Sequence, residues 1–101
     1  MEQCIHDPDL GQFRVYLEQQ MYAVARYYWE SDLLNNDHQD PKVMAITSTR
    51  VPDELQGKGY GKVLMEAILP EIEQMGVVIR PVCPYVEHYL NRHPQWQHLL
   101  A

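Results

Sequence analysis

The sequence predicts an α/β protein: a mixed sheet of about four strands, two main helices and a short C-terminal helical turn. Three observations carry that expectation. Residues 13–17, 22–29 and 42–51 show strand composition and alternation. Val63, Leu64, Ala67, Ile68, Ile72 and Met75 recur at helical spacing. Between the third strand and that helix lies Gln56-Gly57-Lys58-Gly59-Tyr60-Gly61, a glycine-rich junction of the kind that opens α/β helices.

Residues 1–11 are polar, carry Asp7-Pro8-Asp9, and read as a lead-in. Phe13, Val15 and Leu17 alternate with Arg14, Tyr16 and Glu18, the pattern of a half-buried strand. Tyr, Val and Trp enrich the second strand. The connection at Gln19-Gln20 has no strong turn residue, so the hairpin follows from the closeness of the two runs. Residues 31–41 are rich in Asn and Asp and read as a solvated loop. Val43, Ala45, Ile46, Thr47 and Thr49 build the third strand, which Pro52 ends. The helix after the glycines stops at Gly76, and Pro70 inside it removes one backbone donor and should kink it. Residues 77–82 form a short buried strand with Pro81 near its end. A second helix runs over residues 84–92 with Pro84 at its first position. His93-Pro94 ends it, and residues 95–100 add one helical turn. An antiparallel start followed by a helical crossover makes the last strand pair parallel.

The length of 101 residues suits one domain. A net charge of −6 argues against general nucleic-acid binding and suits a cationic partner such as an amine. The charge is uneven, since residues 56–63 hold two lysines and no acid. Cys4 and Cys83 read as thiols in a reducing compartment, with Cys4 in the mobile lead-in. No apolar run approaches the roughly 18 residues of a membrane span, and the N-terminus lacks a cationic signal start. The expectation is a cytoplasmic protein with no membrane partner. Exposed strand edges leave monomer and homodimer both open.

The glycine loop opens a helix, so its amides can converge on an anion at the positive helix end. Two familiar phosphate loops fail on spacing. A Walker loop needs Gly where Gln56 stands, and Ser or Thr where Val63 stands. A dinucleotide fingerprint starting at Gly57 needs Gly where Lys62 stands. The remaining pattern, Gln56-x-x-Gly59-x-Gly61, resembles the coenzyme A diphosphate loop of the GCN5-related N-acetyltransferase superfamily. Val51-Pro52-Asp53-Glu54-Leu55-Gln56-Gly57-Lys58-Gly59 is similar to the V-P-x-E-L-x-G-x-G stretch of a small single-domain subgroup. Pro81-Val82-Cys83-Pro84-Tyr85-Val86, with Tyr89-Leu90 and Arg92-His93-Pro94, resembles the second signature of that subgroup. The likeness spans about residues 13–100.

The resemblance implies a compact acetyltransferase core lacking the flanking helices and strands of longer members, and hence an open acceptor site. It implies acetyl-CoA or coenzyme A as co-substrate, an amine acceptor that is a small molecule or a protein lysine, and no metal. Val51, Gln56, Gly57, Lys58, Gly59, Tyr60, Gly61, Lys62 and Arg92 would contact coenzyme A. Tyr89 matches the tyrosine that protonates the departing thiolate, with Tyr85 one turn earlier as the alternative. Cys83, at a helix start, either accepts the acetyl group, lines the pantetheine channel, forms a mixed disulfide with coenzyme A, or packs inertly. His88, beside Glu87, and His93 are candidate bases. Cys83, His88, His93 and His98 have spacing that splays them away from a shared metal. The subgroup commonly shows His-Thr-Glu-Val-Pro where this chain has Ser48-Thr49-Arg50-Val51-Pro52. That departure supports an alternative reading, a coenzyme A-binding module without catalysis. An interaction protein with no cofactor is the third reading. Tyr22, Tyr27, Tyr28 and Trp29 either wall a cationic acceptor or cover a sheet face.

Overall fold

The computed structural model describes residues 3–30 and 42–101; the loop expected over residues 31–41 lies outside them. Five strands, β1 (Gln3–Asp7), β2 (Gln12–Tyr16), β3 (Tyr22–Trp29), β4 (Val43–Arg50) and β5 (Val78–Pro81), form one sheet in sequential order. The first three pairings are antiparallel and β4–β5 is parallel. Helix α1 (Tyr60–Met75) makes the crossover, and α2 (Pro84–Arg92) leads into a 3-10 turn, Pro94–Leu99. The mixed sheet, the crossover and both helices match the sequence expectation.

The fifth strand is the difference. Residues 3–7, inside the expected lead-in, pair with β2, Cys4 opposite Val15 and His6 opposite Phe13. The His6 ring stacks on Phe13 at 4.5 Å and hydrogen-bonds the Tyr27 hydroxyl. An edge strand needs only one apolar face, so its polar composition concealed it. Cys4 is consequently half-buried against the core rather than mobile, and burial, with Glu71 second, pushes its thiol up to about 11.

One buried cluster holds Phe13, Val15, Met44, Ile46 and Ile79 from the sheet with Leu64, Ile68, Ile72, Val86 and Leu90 from the helices. Each such side chain, fully buried, is worth roughly 1.5–3 kcal/mol relative to exposure. Helix α1 packs over β1, β2 and β3, and α2 over β4 and β5. Both helices therefore lie on one sheet face. The other face carries Tyr22, Arg26, Tyr28, Arg50 and Arg80, all exposed, and no helix covers it among the described residues. Pro70 lies within α1, which continues to Met75 and ends on Gly76 at φ 73°.

The β2–β3 hairpin closes through Met21 N–H to Glu18 C=O at 2.9 Å, with Gln19 and Gln20 at φ 56° and 65°. Two positive φ values at the centre of a hairpin turn normally call for Asn-Gly. Gln20→Gly is expected to stabilise the protein by about 0.5–1 kcal/mol, raising Tm by roughly 3–6 °C in a thermal melt.

Candidate active site

The loop after β4 is shaped before it reaches the glycines. Pro52 starts a single 3-10 turn, Asp53–Leu55, anchored by Leu55 in the interior. Gln56 Nε2 donates to the Val51 carbonyl at 3.1 Å and to Asp53 Oδ1 at 3.2 Å. Its side chain thus folds back on the loop, and Val51 serves it through the main chain. Gly57 and Gly59 sit at φ 85° and 84°, with nothing within 4 Å of where a Cβ would be. Glycine is needed there for backbone conformation rather than for room. Gly59 caps α1 without a side-chain bond, and the first turn of α1 contains no acid. The mouth of a sixteen-residue helix is therefore lined by glycine, flanked by Lys58 and Lys62 and not neutralised by its own first turn. Those features fit a bound diphosphate.

Gly61 is different. A Cβ there would stand 2.9 Å from the Tyr85 hydroxyl oxygen, so α1 meets α2 at this residue. The Tyr85 ring neighbours Tyr89 at 6.3 Å, and Tyr89 stacks on His93 at 3.8 Å. A row of rings thus runs from the glycine mouth down α2.

The sheet opens beside that row. Arg26 pairs with Ser48 but Tyr27 with Ile46, so Thr47 is an extra residue bulged out of β4. Its hydroxyl donates to the Arg26 carbonyl at 3.3 Å. Pairing of β4 with β5 ends at the same place, Ile46 opposite Pro81, followed by one bond from Cys83 N–H to the Ile46 carbonyl at 2.8 Å. A bulge bends its strand, and here β4 continues through Arg50 with no β5 partner. The exposed backbone edge of Thr47–Arg50 leads straight to the glycine loop. Cys83 sits at this split, 6% exposed, with Sγ 3.6 Å from Thr49 Oγ1.

Tyr89 is also nearly buried, at 5% exposure. Burial, then Glu66, then Tyr85, raises its phenol above the usual range, and burial does the same for Tyr85. Both phenols keep their protons at neutral pH, the state a proton donor requires. His88 lies on the exposed side of α2, where its Nε2 is 3.4 Å from Arg92 Nη1 in place of a pairing with Glu87. His93 Nδ1 donates to the Tyr89 carbonyl at 2.7 Å, leaving Nε2 as the acceptor nitrogen when the ring is neutral. His98 pairs with Glu73 at 2.7 Å. The histidines thus go to separate partners, and no group of three or more metal-ligating side chains converges among the described residues. Lys62 reaches Glu66 at 4.0 Å, an exposed pair of small worth.

Ser48 and Arg50 alternate with Thr49 on β4 and so face the uncovered side of the sheet. A cavity of about 350 Å³ opens there, lined by Tyr22, Val24, Arg50, Pro52, Asp53 and Glu54. Arg50 makes no ion pair among the described residues. The four aromatics of β3 do not form one wall. Tyr27 and Trp29 pack edge to face on the helix side, while Tyr22 and Tyr28 stand on the other.

Two residues at this site escaped the sequence reading. Glu18, on the distant β2–β3 turn, accepts a hydrogen bond from Tyr60 and pairs with Lys58. Thr49 faces Cys83. Neither carries a local signal, because each acquires its neighbour only when far segments meet.

A parallel strand pair that parts at a bulge, beside a glycine-lined helix mouth, defines an α/β domain in which a helix N-terminus lies next to an open strand edge. A family model described as GCN5-related N-acetyl-transferase matches residues 12–99 of the 101, and the chain belongs to that family. Comparison with curated proteins finds no match. Membership supports acyl transfer as the general class of activity. No helix among the described residues is long and apolar enough to cross a membrane.

Proposed function

We propose that this protein is an acyl-CoA-dependent N-acyltransferase that moves an acetyl group from acetyl-CoA to an amine. The observation that carries this reading is the glycine-capped mouth of α1 lying at the end of the unpaired edge of β4. Amides of residues 57–61 hold the diphosphate, with Lys58 and Lys62 adding charge. The backbone edge of Thr47–Val51 receives the pantetheine arm as an added strand would be received. Bound acetyl-CoA supplies the activated acetyl group as a thioester. Tyr89 holds a proton on its hydroxyl for the departing thiolate, and the helices over one sheet face leave the acceptor to approach from the bare face. There Arg50, Asp53 and Glu54 surround the cavity that receives it.

A second reading, coenzyme A binding without turnover, draws on Ser48 and Arg50, which put no acid–base pair on β4. Calorimetry with coenzyme A, followed by acetyl-CoA turnover on a panel of small amines and a lysine peptide, separates the two. Saturable binding with thiol release is expected, and ligand at 100 times Kd should stabilise the fold by roughly 2.7 kcal/mol. Binding with no turnover on any amine favours the second reading. No heat at millimolar coenzyme A removes both.

A further inference from the structure

One carboxylate already occupies the flank of the glycine loop. Glu18 Oε2 accepts the Tyr60 hydroxyl at 2.6 Å and lies 3.5 Å from Lys58 Nζ. Lys58 and Tyr60 flank Gly59, the cap of α1, so Glu18 touches the loop on both sides of its turning point. The Tyr60 hydrogen bond first, and Lys58 after it, hold the Glu18 carboxyl below the usual carboxylate range against the opposing effect of burial. It is therefore an anion at neutral pH. The hairpin that delivers it is strained, with Gln19 and Gln20 both at positive φ immediately after it. Strain of that kind persists where the surrounding structure demands it.

We propose that Glu18 sets the affinity for coenzyme A, ordering the glycine loop through Tyr60 while its charge opposes the incoming diphosphate and holds Lys58 away from it. This rests on the coenzyme A reading above. The two effects separate by chemistry. Ordering needs only a hydrogen-bond acceptor, which a Gln side chain also offers. Opposition needs the negative charge. A carboxylate here weakens donor and product alike, and the gain for a transferase is faster release of coenzyme A after each turnover.

The test is calorimetry with coenzyme A on the wild type, Glu18→Gln and Glu18→Ala, at low and high salt. The Gln variant, which loses the charge and keeps an acceptor, should bind about three- to tenfold tighter at low ionic strength, with slower dissociation, and the gain should fade toward 1 M salt, where the screening length is about 3 Å. The Ala variant reads the ordering, because it removes the charge and the acceptor together and should bind more weakly than the Gln variant at low and at high salt. Unchanged or weaker binding in the Gln variant overturns the proposal, as does a gain that high salt leaves intact or an Ala variant that binds as tightly as Gln. A wild type that binds no coenzyme A sinks the underlying reading instead, so the two failures are distinct.

Discussion

Tyr89→Phe should lower turnover about a hundredfold, the lower end of the range for losing a positioned proton donor. Coenzyme A affinity and Tm should change little, because the ring keeps its stack on His93 and its place beside Leu90 in the core. The pH profile separates chemistry from packing. Burial raises the phenol above its ordinary value of 10.0, with Glu66 and Tyr85 adding to it. A raised value keeps the proton on, so activity that depends on it is present below pH 10 and is lost as pH climbs through the raised value. The Phe variant should lack that alkaline limb. Equal rates in the two proteins at neutral pH would reduce Tyr89 to a core residue and shift attention to Cys83. The same sign holds for stability. Tyr27, Tyr85 and Tyr89 are all raised, chiefly by burial, so unfolded phenols ionise first and stability should decline only above pH 10. Melts across that range check it.

Gly59→Ala should weaken coenzyme A by about five- to thirtyfold, since placing an L-residue in the left-handed region costs roughly 1–2 kcal/mol and the loop relieves it by turning its amides away. Gly59 sits at φ 84°, ψ 15°, with open space around a would-be Cβ, so no clash contributes. That makes Gly59→Asn the informative partner. Asn tolerates this conformation and should lose less. Gly61→Ala tests a separate cause, because its methyl would press on the Tyr85 hydroxyl. Calorimetry on the three variants ranks backbone against packing. Wild-type affinity in the Ala variant at 59 would falsify the diphosphate cradle.

Much of the fold is legible in the residues because local rules and tertiary context agree there. The span of α2 matches the expectation drawn from Pro84 and His93-Pro94. Gly76 stops α1 for the reason expected of a left-handed cap. The same cannot be said of β1. Its sequence is polar, and only pairing with β2 makes it a strand. Gln56 shows a different gap. Its place in the motif is evident, yet its side chain turns inward to shape the loop.

Residue order determined the glycine mouth, its basic flanks and the family, since these depend on backbone freedom and spacing within a few positions. The split of β4 from β5, the approach of Thr49 to Cys83, and the bridge from Glu18 to Tyr60 across 42 positions were decided only by the assembled sheet. A bulge exists only relative to a partner strand, and a charge pair between distant segments exists only once packing has brought them within reach.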